Sequence, residues 1–121
     1  MRIYWLCGAL LAGVLLAVLN NYFASVFFLY WRFPWTDLVA HTLGGVAIGS
    51  FLISILPARS PRTYLAVCLG VFVGWEVFEY VIGAAQPVNY RLDTEQDLLM
   101  DAVGAVITYV AARLTIWKLV P

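Results

Sequence analysis

Charge is scarce in this chain. Only 12% of its 121 residues are charged, 64% are hydrophobic, and the mean hydropathy is +0.89. So few polar side chains cannot coat a soluble surface, which excludes an ordinary soluble domain. Seven basic residues balance seven acidic ones. A net charge of zero offers no basic patch, so no nucleic-acid partner is expected. Cysteine is limited to Cys7 and Cys68, both inside apolar runs. That excludes a disulfide framework and a zinc-finger spacing, and both are expected to stay thiols. Histidine occurs once, at His41, and Ser25, Ser50, Ser54 and Ser60 lack one on the expected side. No nucleophilic signature results. The glycines are spread for helix packing rather than gathered in a phosphate loop.

What is present in abundance is long apolar sequence. Four stretches approach the roughly 20 residues that a bilayer requires. The expected fold is all-α: a single domain, 1–121, forming a polytopic membrane protein with a bundle of four transmembrane helices. The spans are expected at about 3–23, 37–56, 63–84 and 95–119. Met1-Arg2 followed by an apolar run has the look of a signal peptide. The run continues through Ala24 toward Tyr30, longer than such a segment, and reads as the first span. A tilt or kink is expected near Asn20-Asn21. Tyr22, Phe23, Phe27, Phe28, Tyr30, Trp31, Phe33 and Trp35 then crowd one membrane boundary as an aromatic belt.

Pro34 ends that element, and Thr36 is expected to cap the second span with Asp37 in its first turn. Gly45 and Gly49 form a small-xxx-small face on that span, suited to close helix approach. Span three carries Gly70, Gly74, Glu76 and Glu79. Asp93 is expected to cap span four, with Gln96 completing the pair. Orientation follows from basic residues near the span ends. Arg2, Arg59, Arg62, Arg113 and Lys118 share one side, and Arg32 and Arg91 the other. Both termini are therefore expected in the cytoplasm, in a bacterial-type inner membrane.

The acidic residues then fall together. His41 is about one turn into span two, roughly 6 Å by helical rise. Glu76 and Glu79 lie one to two turns below the outer end of span three. Asp97 and Asp101 occupy the first turns of span four. Asp37 and His41, and Asp97 and Asp101, are four apart; Glu76 and Glu79 are three apart, so each pair shares a face. All seven acids lie in the outer half, with two arginines at the head-group level. Three unpaired carboxylates would cost roughly 7–10 kcal/mol on insertion scales. Partners must be protons, an ion, water or a cationic ligand. One histidine with several carboxylates suits a divalent ion such as Zn, Mn, Fe or Mg. The expected metal ligands are His41, Glu76, Glu79, Asp101 and Asp97, with Asp37 orienting His41 from behind. Arg32 and Arg91 are expected to meet lipid head groups. Asp93 and Glu95 read as solvated cap residues. Protonated carboxyls in a structural or proton-linked network are the competing reading.

At these residues the chain resembles the YjdF-like family of bacterial inner-membrane proteins. The match is Asp37-Leu-Val-Ala-His41 with Gly44-Gly45, then Glu76-Val-Phe-Glu79, then Asp93-Thr94-Glu95-Gln96-Asp97 leading to Asp101 and Gly104-Ala105. It covers roughly residues 36–112. VanZ-like proteins share the Asp-x-x-x-His start of a span more loosely. The resemblance implies a polyhelical membrane protein and supports the site without implying an activity. One span precedes the motif helix, fewer than the family pattern, so added partners are expected.

Three functions compete at this level. A metal-dependent membrane enzyme would activate water or clamp a phosphate on a lipid-linked substrate at the outer leaflet. A transport or ion-binding protein would use the same acids for cations or protons, but the inner half offers no ionisable path. A structural subunit would hold a satisfied polar cluster. Membrane lipid is an expected partner, and the glycine-rich helix faces are expected to support homo-oligomer contacts.

Overall fold

The structure, a computed structural model, describes residues 2–56, 60–83 and 89–117, with the side chains of residues 24, 25, 30 and 31 excepted. It is all-α, with no strand among the described residues. Helix α1 (Ile3–Val18) runs into a π-helical turn, Leu19–Ala24. Short helices α2 (Ser25–Phe27) and α3 (Leu29–Arg32) follow. Three long helices complete the bundle: α4 (Trp35–Ile55), α5 (Pro61–Ile82) and α6 (Tyr90–Thr115). Four segments are long and apolar enough to cross a bilayer: Ile3–Phe23, Trp35–Ile55, Pro61–Ile82 and Tyr90–Thr115.

The widened turn coincides with Asn20-Asn21. Asn21 Nδ2 donates to the Ala17 carbonyl oxygen at 2.9 Å, a side-chain bond that competes with the backbone ladder. Insertions of this kind kink helices, which accounts for the irregularity expected here. Beyond it, Tyr22, Phe23 and Phe27 pack ring to ring.

Helices α4 and α6 form the central pair. A Cβ at Gly45 would collide with the Asp101 backbone, and one at Gly49 with Thr108 and Tyr64. A Cβ at Gly104 would meet the Thr42 carbonyl, and the Val46 nitrogen at 2.8 Å. Contacts advance together along both chains, so α4 and α6 run parallel. Small residues let the backbones touch, as expected for Gly45 and Gly49. The span-three glycines behave differently: nothing lies within 4 Å of a Cβ built at Gly70 or Gly74. The partner of the α4 glycine face is Gly104 on α6.

On one flank α1 packs along α4; on the other α5 packs against α6. Tyr64 anchors the second contact. Its hydroxyl donates to the Ala105 carbonyl at 2.9 Å and lies 2.8 Å from Thr108 Oγ1. Ile53, Tyr64, Cys68, Phe72, Ala105 and Trp117 are buried around it. At this end of the bundle Arg2 donates to the carbonyls of Ile53 at 2.6 Å and Leu56 at 2.9 Å. It thereby closes the C-terminus of α4, where orphan carbonyls and the helix dipole favour a cation. The same guanidinium lies over the Trp117 ring. Cys7 and Cys68 are free thiols.

Two capping expectations fail. Helix α4 starts at Trp35 with Pro34 in the cap position; Thr36 is already inside, and its hydroxyl donates to the Phe33 carbonyl at 2.7 Å. Proline fixes φ near the helical value and needs no partner for an N–H, so it opens the helix earlier. Helix α6 starts at Tyr90, after Asn89 at φ 76°, so Asp93 lies in the first turn rather than at the cap. Asparagine tolerates that left-handed conformation and sets the turn. Helix α5 closes on Gly83 as its C-cap, at φ 73°. Ala84, Arg59, and the stretch from Lys118 to the expected end of span four lie outside the described residues, as do residues 85–88 of the last loop.

Candidate functional site

The site lies where α4 and α6 begin and α5 ends. Asp37 and His41 stand one turn apart on α4. Asp97 and Asp101 stand one turn apart on α6, and Glu76 and Glu79 lie on the last turns of α5. Glycine at 45 brings the Asp101 backbone against α4, and the Asp101 Oδ1 lies 3.5 Å from where a Gly44 Cβ would be. Close packing of the central pair thus delivers the α6 acids to His41.

The two nitrogens of His41 face different groups. Nδ1 lies 3.3 Å from Asp101 Oδ2. Nε2 lies 3.6 Å from Asp97 Oδ1 and 3.9 Å from Asp37 Oδ1. Toward an ionised Asp101, which only accepts, Nδ1 can act only as the donor. Donor atoms of Asp37, His41 and Asp97 all lie within 4.8 Å of one another. Those of His41, Glu76 and Glu79 form a second such group. The structure therefore brings together all six residues expected at the site. Asp101 stands at Nδ1, and Asp37 shares the Nε2 side with Asp97.

Burial makes this arrangement consequential. His41, Asp97, Asp101 and Glu76 are between 3% and 9% exposed. Among the described residues no lysine or arginine faces them, and their only basic partner is the His41 ring. Glu76 Oε1 and Thr94 Oγ1 are both buried, and the two side chains face one another.

The cluster forms one end of a cavity of about 890 Å³. Asp37, His41, Glu79, Asp93, Asp97 and Asp101 line its polar end. Leu16, Ala47, Ile48, Val71 and Phe72 line the rest, with Trp75 between the two regions. Asp93, expected to be a solvated cap, is half-buried in this wall. Glu95 is exposed and accepts from Arg91 Nε at 2.8 Å, a surface pair of small energetic weight. Arg32 is exposed. Sequence reasoning missed Gly13, Asn20, Thr94 and the lining role of Trp75. Asn20 had a signal in its polarity within an apolar span; Gly13 had none.

A sequence model of one family, described as "Predicted membrane protein (DUF2238)", matches residues 3–118. No curated protein matches the chain, and no solved structure does.

Proposed function

The chain belongs to this family of predicted membrane proteins, and from that premise we propose that its buried cluster binds a divalent metal ion and serves metal-dependent chemistry on a phosphate-bearing substrate. The motifs Asp37-x-x-x-His41, Glu76-x-x-Glu79 and Asp93 to Asp101 further suggest a YjdF-like member. The observation that carries the metal reading is the division of labour at His41. One nitrogen meets a carboxylate at 3.3 Å; the other faces two carboxylate oxygens at 3.6 and 3.9 Å. Two ligands about 2.1 Å from a tetrahedral ion stand roughly 3.4 Å apart, close to both spacings. A metal-ligating histidine commonly gives its other N–H to a carboxylate. We assign His41 Nε2, Asp97 and Asp37 as ligands, and Asp101 as the residue that fixes the ring. Glu76 and Glu79 approach from α5.

A bound divalent ion supplies charge for a phosphate oxygen and acidifies a coordinated water. The chain's own groups do the rest. Glu79 is half-buried and lines the cavity, so it can accept a proton from water held there. The apolar walls and Trp75 limit water around the reacting group. Five carboxylates around one histidine repel a bare phosphate, so substrate binding requires the ion first.

The test is metal content and turnover. Purified full-length chain in detergent is dialysed against Mn²⁺ or Zn²⁺, washed and analysed by mass spectrometry for metals. The expected result is a stoichiometric ion, lost in His41→Gln, with metal-dependent phosphate release from phosphate-ester probes. An intact, folded chain that retains no ion above a His41→Gln background overturns the reading, in favour of a protonated network.

A further inference from the structure

We propose that the cavity is the seat of a single membrane phospholipid, reached sideways from the bilayer through a gap between α1 and α5, with its phosphate at the acidic end and an acyl chain in the apolar bore. The placement of the phosphate rests on the metal reading above; the acyl seat rests on the cavity itself.

Polarity is ordered along the cavity on three separate helices. On α4 it runs from Asp37 and His41 to Ala47 and Ile48; on α5 from Glu79 through Trp75 to Phe72 and Val71; on the first span from Asn20, in the π-helical turn, to Leu16 and Gly13 on α1. The α4 stretch alone spans about 16 Å by helical rise, about half the hydrocarbon thickness. A soluble substrate has no use for an apolar bore of this length. An amphiphile matches both ends, and 890 Å³ lies within the range of ligand sites.

The route is set by packing. Helices α1 and α5 both line the cavity, yet they share no extended contact with one another. Their separation leaves the bore open toward the membrane, and the lining residues Val71 and Trp75 are 42% and 50% exposed. In a chain that spans the bilayer, what stands at that opening is lipid. Gly13 marks the bore from the α1 side: it lines the cavity, and a Cβ there meets nothing within 4 Å.

The experiment uses the full chain in phosphatidylglycerol vesicles doped with a phosphatidylglycerol carrying a diazirine in its acyl chain. After illumination, adducts are mapped by peptide mass spectrometry. Adducts are expected on Leu16, Ile48 and Val71. They should fall about tenfold in Gly13→Phe, equivalent to ~1.4 kcal/mol of lost binding. Gly8→Phe, on the same helix but outside the cavity, should change nothing. Leu16→Trp repeats the block if Gly13→Phe fails to fold. Adducts confined to outward residues such as Leu10 and Val110, or insensitive to both cavity variants, overturn the proposal. So do native mass spectra showing lipid-free dimers, which give the gap to a second copy. Mn²⁺ binding is measured on the same samples. A chain that binds metal without cavity adducts loses the lipid seat and keeps the metal reading; cavity adducts without metal binding do the reverse.

Discussion

At the scale of single residues, His41 decides how the cluster is divided. Its Nδ1 meets Asp101 at 3.3 Å, while Asp97 and Asp37 stand on the Nε2 side. If Asp101 acts through the ring, Asp101→Asn should weaken Mn²⁺ or Zn²⁺ binding about 10–100-fold, the usual cost of losing such an orienting partner. Asp97→Asn should cost more, since it removes a charged ligand oxygen. Isothermal titration of both variants checks the order. Equal losses would make Asp101 a direct ligand, as the sequence alone suggested. The gathering of Asp97, Asp101 and His41 was legible, because helical spacing and membrane depth are fixed by count. Which oxygen faces which nitrogen was not. That depends on side-chain rotamers and on the approach of α6, neither of which a spacing of four encodes.

At the scale of elements, the α4/α6 contact holds the site in register. Gly45 rests on the Asp101 backbone itself, so packing and chemistry meet at one point. Gly45→Ala should cost about 1–3 kcal/mol through overpacking and push Asp101 away from His41. Its thermal midpoint in detergent should fall, and metal affinity with it. Gly70→Ala, with open space around its Cβ, should leave both unchanged or raise the midpoint slightly. A Gly45→Ala chain as stable as the wild type would mean that α4 and α6 are not in this close contact. The helices themselves were legible from long apolar runs, and the Gly45/Gly49 face from its spacing. The caps were not. Pro34 and Asn89 set the helix starts by backbone conformation, whereas Thr36 and Asp93 only looked like caps by residue type. The openness of the α5 glycines depends on which face that helix turns outward, and hydrophobicity on all sides conceals it.

At the scale of the whole molecule, the bundle is polarised along its axis. One end gathers Asp37, Glu76, Glu79, Asp97 and Asp101 around His41. The other carries Arg2, folded onto the α4 terminus and Trp117. Counted along a sequence with four spans, Arg2, Arg59, Arg62, Arg113 and Lys118 are expected on the Arg2 side, and Arg32 and Arg91 on the acidic side. Basic residues near span ends are retained in the cytoplasm, while acidic ones contribute little to orientation. Five against two therefore predicts an inward Arg2 end and an acidic site at the outer leaflet. Arg2 is partly engaged by carbonyls, but its guanidinium keeps its charge in any such bond. Removing Arg2 from the count still leaves four against two. A reporter active only outside the cytoplasm should be silent when inserted between Leu56 and Ser60, and active between Gly83 and Asn89. Arg2→Ala should not invert that pattern; replacing Arg59 and Arg62 together, which reduces the inner count to three, should produce mixed orientation. The opposite pattern in the unaltered chain would turn the bundle over. The cluster and its cavity would then face the inner leaflet, and the lipid that reaches the gap between α1 and α5 would come from the cytoplasmic side.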